Sequence, residues 1–160
     1  MRLKCGDPGI FGRGAEEAEA LAAAGIAFEI VPGVTAASTA AAEAGGFLTE
    51  RGRTDTPVLI TGTHAAGGLA PGWTQRLAPG TTMAIYMGVG HLAEIERDLV
   101  AEGLDGLVEA EIVGPAATPN MRRLAHPVIG LSAAAERAGI ASPAIILLRR
   151  AFRACALAAA

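Results

Sequence analysis

The chain has 160 residues, 51% hydrophobic and 18% charged, with a formal net charge of −3. That length admits one ordinary domain or two small lobes, and that composition favours a packed core over disorder. The slight acidity and the lack of any Lys/Arg run argue against nucleic acid as a partner. Cys5 and Cys155 stand at opposite ends and form neither a disulfide framework nor a metal-ligand spacing, so no metal is expected and a reducing cytoplasm is the natural location. No uninterrupted apolar stretch reaches membrane-spanning length, so no membrane partner is expected. Met1 is followed by a Gly- and Asp-containing loop where a signal peptide would carry its apolar region.

In chain order, Leu3 reads as the stub of a strand, and the Gly/Pro-rich run Cys5–Gly14 as a loop. Ala18, Leu21 and Ala22 give a helix over about 15–24, with Glu16 and Glu17 in its first turn and Gly25 at its end. Ala27–Val31 reads as a strand stopped by Pro32-Gly33, and Thr35–Ala44 as an alanine-rich helix. Leu48–Thr56 is charged and reads as a linker between lobes. Val58–Gly62 resembles a buried parallel strand. A short Trp73 helix leads to a strand over Thr82–Met87. His91–Glu102 is a helix with Leu92, Ile95, Leu99 and Val100 on one face. Val108–Val113 and Arg122–His126 read as strands, Ser132–Ala138 as a helix and Pro143–Leu148 as a final strand. The alanine-rich end 154–160 is expected to fray. Alternating strands and helices make the class α/β.

The loop from Cys5 to Gly14 is the strongest chemical signal. Gly6, Gly9, Gly12 and Gly14 let backbone approach a ligand, Asp7 offers a carboxylate, and a helix N-terminus follows. It lacks the Gly-Lys-Ser/Thr of a phosphate-binding loop and is not a dinucleotide fingerprint. Spacing alone is equally compatible with an ordinary strand-to-helix connection.

Three ordered blocks go further. Arg2-Leu3-Lys4-Cys5-Gly6-Asp7-Pro8, continuing through Ile10-Phe11-Gly12-Arg13-Gly14, then Val31-Pro32-Gly33-Val34-Thr35-Ala36-Ala37-Ser38, then Ile85-Tyr86-Met87-Gly88, together resemble the tetrapyrrole methylases, nearest to the uroporphyrinogen-III C-methyltransferases. The likeness runs to about Leu148. It implies a two-lobed fold, of which this chain would carry the C-terminal part of the first lobe (1–47), a complete second lobe (48–152) and a tail (153–160). It implies S-adenosyl-L-methionine as cofactor, S-adenosyl-L-homocysteine as its product, a tetrapyrrole substrate and a homodimer. Carried over by position, the cofactor contacts are Cys5, Gly6, Asp7, Ile10, Thr35, Ala36, Met87 and Ala116. The family's acid/base residues and its Gly-rich strand-loop are expected upstream of the Gly-Asp-Pro loop, so no catalytic residue is assigned and the chain reads as truncated relative to the family.

Four departures stand out. Cys5 replaces a glycine, which would strain the loop if that position needs a left-handed backbone. Gly9 replaces a bulky aromatic, Gly114-Pro115-Ala116-Ala117-Thr118 replaces a Glu-x-Gly-Thr-Thr-like block, and Arg149-Arg150 replace Gly-Glu or Gly-Arg. The implied reaction is C-methylation of uroporphyrinogen III to precorrin-2, on the route to sirohaem or cobalamin. The alternatives are a fragment that only binds cofactor or dimerises, and a later precorrin methylase. His64 matches a family His, and the spacing by itself reads it as a solvated loop residue.

Overall fold

A computed structural model describes residues 1–64 and 67–152. Cys155 and the alanine-rich end 154–160 lie outside the described residues. Four helices, α1 (Gly14–Ala23), α2 (Ala36–Glu43), α3 (Leu92–Ala101) and α4 (Leu131–Arg137), accompany five strands, β1 (Thr56–Thr61), β2 (Thr81–Tyr86), β3 (Glu109–Gly114), β4 (Arg122–His126) and β5 (Ile145–Arg150). The strands form one sheet in the order β1-β2-β5-β3-β4. Only β1 and β2 run parallel; β5 is antiparallel to both β2 and β3, and β4 to β3.

The sheet has two unequal faces. On one, Met83, Ile85, Ile112, Ile146 and Leu148 pack against Ile95 and Leu99 of α3 and Leu131 and Ala135 of α4. These are large, fully buried aliphatics, and the helical spacing of Leu92, Ile95 and Leu99 brings them onto one stripe of α3. On the other, Ala84, Tyr86, Val113, Ile145 and Leu147 cluster with the small side chains of Ala37, Ala40, Ala41 and Ala44 from α2, with partly buried Ile10, Leu48, Leu59 and Met121 at the margin. Each helix ends on a glycine in the same manner. After α3, for instance, Gly103 has φ +66°, its N–H donates to the Val100 carbonyl at 3.0 Å, and the Leu104 N–H donates to the Leu99 carbonyl at 2.8 Å.

Several expectations need correction. Ala27–Val31 forms no strand: it pairs with nothing among the described residues, and Phe28, Ile30 and Val31 are 45%, 60% and 70% exposed. The residue types favour an extended chain, but a strand exists only with a ladder partner. Leu3 likewise belongs to no strand and is exposed. β1 does pair in parallel, yet it lies at the sheet's edge, and only Ile60 of its apolar run is buried. Leu48–Thr56 is tied down: Glu50 and Thr54 form a β-bridge, and the Arg53 carbonyl accepts the Phe152 N–H at 2.9 Å. Met87 falls one residue beyond β2 with φ +53°. Among the described residues, no helix is long and apolar enough to cross a membrane.

Candidate functional site

The carboxyl ends of the parallel pair β1 and β2 are where an α/β sheet presents ligands. Tyr86 closes β2 there. Its hydroxyl accepts the Ala37 N–H at 3.0 Å and lies 2.5 Å from the Thr35 hydroxyl, so it holds the first turn of α2 against the strand end. The Phe11 ring packs on the Tyr86 ring at a centroid distance of 4.8 Å and a tilt of 55°. One tyrosine thus joins the glycine-rich loop, the head of α2 and the sheet.

Asp7 makes a second joint. One carboxylate oxygen accepts the Gly9 N–H at 2.7 Å, and the other accepts the Gly33 N–H at 3.0 Å. The side chain expected to face a ligand is therefore already engaged in fastening its own loop to the Val-Pro-Gly turn. The two backbones come so close that a Cβ on Gly33 would lie 2.2 Å from the Gly6 carbonyl oxygen. Gly6 itself has φ +73°, and Cys5 is not among the residues with a left-handed backbone. The left-handed turn that would have strained Cys5 falls on its glycine neighbour, which adopts it freely, and the exposed cysteine is accommodated. Phe11 and Arg13 do adopt left-handed backbone, at φ +54° and +55°. Two such non-glycine residues in one short loop are strained, as is frequent where a chain is shaped for binding.

The remaining expected residues gather around these joints. Ile10, Ala36 and Ala116 all pack against the cluster that contains Tyr86, Val113 and Ile145. Met87 is 48% exposed, and its Sδ accepts the Thr63 hydroxyl at 3.5 Å. Thr63 in turn shares a 3.1 Å contact with the Thr61 hydroxyl at the end of β1. Cys5 is exposed. Tyr86 and Phe11 are the structural centre of this site, although sequence reasoning singled out neither. Both lay inside quoted blocks, and the signal available was an aromatic at a strand's carboxyl end and another in a glycine-rich loop.

Two cavities flank the loop. A hollow of about 1230 Å³ lies between Met1–Lys4, α1 and residues 27–33, walled by Leu3, Leu21, Phe28, Ile30 and Val31. Of the expected cofactor contacts, only Gly6 borders it. A smaller cavity of about 290 Å³ lies between the end of β1 and the 3₁₀ turn Trp73–Arg76. Phe11 lines both. At the hollow's rim the Lys4 ammonium, 2.6 Å from Glu17, holds the Glu17 carboxyl below its usual range, with Arg2 assisting. Arg13 and Glu16 form an exposed ion pair at the head of α1. No cluster of three or more metal-ligating side chains occurs among the described residues.

The chain is similar to known proteins along most of its length. A family model for tetrapyrrole (corrin/porphyrin) methylases matches residues 1–130. A sirohaem synthase of Gluconacetobacter diazotrophicus is 44% identical over 155 residues, which is 96% of this chain and 33% of the relative. A uroporphyrinogen-III C-methyltransferase of Paracoccus denitrificans is 40% identical over 148 residues, 92% of this chain and 52% of the relative. Among solved structures, the Thermus thermophilus uroporphyrin-III C-methyltransferase complexed with S-adenosylhomocysteine superposes with a TM-score of 0.72 at 32% identity, covering 90% of this chain and 62% of that one. The chain thus spans about a third to a half of the curated relatives it matches.

Proposed function

The chain belongs to the tetrapyrrole methylases, and from that premise we propose that it is the part of an S-adenosyl-L-methionine-dependent methyltransferase that carries the Gly-Asp-Pro cofactor loop, with uroporphyrinogen III as substrate and precorrin-2 as product. The observation that carries this reading is the joint at Tyr86. It gathers Ile10, Thr35, Ala36 and Ala116 at the carboxyl end of β2, next to Met87.

The residues present fit the cofactor. The Gly6 turn carries no side chain over the head of α2; a Cβ there would meet the Val34 carbonyl at 3.4 Å. Thr35 and Ala36 open α2, and the Ala37 N–H given to Tyr86 fixes that helix head at the end of β2. The half-exposed Met87 thioether gives a soft apolar surface. When bound, S-adenosylmethionine supplies an electrophilic methyl group, which an electron-rich pyrrole carbon can accept. The residues' own task is alignment: Asp7 and Tyr86 hold loop, helix and strand in one arrangement, and fixed alignment is itself a large part of the acceleration of such a transfer. We assign residues 1–47 to a cofactor-loop lobe and 48–152 to a second lobe, in a cytoplasmic homodimer.

A second reading, a chain that binds cofactor or dimerises without turnover, draws support from the hollow walled by Leu3, Phe28, Ile30 and Val31, an apolar surface of a kind that globular proteins cover. Calorimetry with S-adenosylhomocysteine tests both: absence of heat at high concentration sinks cofactor binding. Methyl transfer to uroporphyrinogen III, measured alongside, separates the enzyme from the non-catalytic binder.

A further inference from the structure

The small cavity is built differently from the large hollow. Its walls are mixed: Phe11, Leu59, Ile60, Ala70 and the buried Trp73 stand beside Thr61, His64 and Arg76. No carboxylate lines it, and Arg76 is its only permanently charged group among the described residues. Most arginines here are occupied. Arg2, Arg13, Arg53, Arg97, Arg123 and Arg149 are in ion pairs, and Arg122 and Arg150 donate to backbone carbonyls. Among the described residues Arg51, Arg76 and Arg137 have no such partner, and of these Arg76 is the one that borders this cavity.

We propose that this cavity is a specificity subsite for one carboxyalkyl arm of the substrate, with Arg76 as the group that receives the arm's carboxylate. The proposal rests on the tetrapyrrole reading above and adds a recognition element to it. At about 290 Å³ the cavity is too small for a macrocycle but roomy enough for an arm. The apolar residues among its walls suit the arm's methylenes, and a guanidinium matches a carboxylate by paired hydrogen bonds. Phe11 sets the position. It lines this cavity and also packs on Tyr86, so an arm seated here would place its ring system beside the joint that holds Thr35.

Trp73 is the only tryptophan in the chain, and it is 3% exposed with its indole N–H donated to Asp98 at 3.0 Å. Its emission is therefore a local reporter. The full chain is titrated with uroporphyrin III, a stable oxidised analogue bearing free carboxylates, and with its fully methylated ester. We expect uroporphyrin to quench Trp73, and Arg76→Gln to weaken that binding about tenfold, the effect of losing a charge-assisted pair. Arg76→Lys should recover part of it, and Arg137→Gln, remote from the cavity, should bind as the parent does. The ester should bind the parent and Arg76→Gln alike. Equal uroporphyrin affinity in parent and Arg76→Gln, or no binding by the parent, overturns the subsite. Should Arg76→Gln fail to fold by circular dichroism, the Arg76→Lys affinity decides, unchanged affinity for the ester being required. Calorimetry with S-adenosylhomocysteine on the same samples keeps the two readings apart. Arginine-dependent uroporphyrin binding without cofactor heat removes the methyltransferase reading alone, and cofactor heat without arginine dependence removes the subsite alone.

Discussion

The first thirty-six residues and the sheet are held by different forces. No residue from Met1 to Ala36 is buried, and what orders this stretch is mainly a set of polar stitches, Asp7 to Gly9 and Gly33, Lys4 to Glu17, and the backbone turns, beside the partly buried contacts of Ile10 and Phe11 at Tyr86. The sheet instead rests on fully buried Met83, Ile85, Ile112, Ile146 and Leu148. Burial of such side chains stabilises by about 1.5–3 kcal/mol each, whereas a single exposed ion pair contributes about 0–1 kcal/mol. The difference teaches that the core determines whether the chain folds, while the stitched loop determines what it can hold. Substitutions in the two regions should therefore separate stability from ligand affinity.

The largest effect on stability is expected from Ile146→Ala. Ile146 is fully buried on the central strand β5, and its truncation should cost about 2–5 kcal/mol, read as a lower urea midpoint. A loss of stability under about 1 kcal/mol, obtained from that midpoint, would show that the sheet's interior is looser than its packing indicates. Gly33→Ala reverses the pattern. Its new Cβ would collide with the Gly6 carbonyl oxygen, so the loop must separate from the Val-Pro-Gly turn at about 1–3 kcal/mol of docking energy. Calorimetry should show S-adenosylhomocysteine binding roughly tenfold weaker, while the main unfolding transition hardly moves.

Tyr86→Phe tests the joint where the two regions meet. The ring contact with Phe11 survives, but the bonds to Thr35 and the Ala37 N–H are lost, at about 1 kcal/mol. Both the melting temperature and the cofactor affinity should fall, modestly and together. The smallest effect is at Lys4→Met. The Glu17 carboxyl is held low by Lys4, so its contribution is present above the unfolded pKa and disappears as pH falls through the folded value. Carboxyl NMR should show the Glu17 titration midpoint rising in the variant, with global stability near neutral pH unaffected.

Much of this arrangement is legible in residue order. The periodicity of Leu92, Ile95 and Leu99 specifies α3, and the apolar runs specify β1, β2, β3 and β5, because local pattern and burial agree there. Ala27–Val31 reads as a strand for the same local reasons, yet pairing is a property of two segments, and its exposed Phe28 and Ile30 have no partner strand among the described residues. The site is legible as blocks but not as roles. Asp7 looks like a ligand group because a carboxylate in a glycine loop usually is one; that it clamps Gly33, twenty-six residues on, depends on a tertiary contact. Tyr86 reads as strand filling until the head of α2 is seen to hang from its hydroxyl. Cys5 looks strained only while the left-handed turn is placed one residue too early.

The position of β5 carries a consequence for synthesis. Residues 145–150 occupy the middle of the sheet, hydrogen-bonded to β2 on one side and β3 on the other. As the chain leaves the ribosome, β1–β2 and β3–β4 can form as separate pairs, but neither can join the other until this late segment arrives. Both pairs wait with an open edge and an uncovered apolar face, and such long-range closure is slow and prone to aggregation. Stalled chains carrying C-terminal linkers too short or long enough to bring residue 150 out of the exit tunnel, each probed with protease, should show resistance appearing abruptly once β5 has emerged.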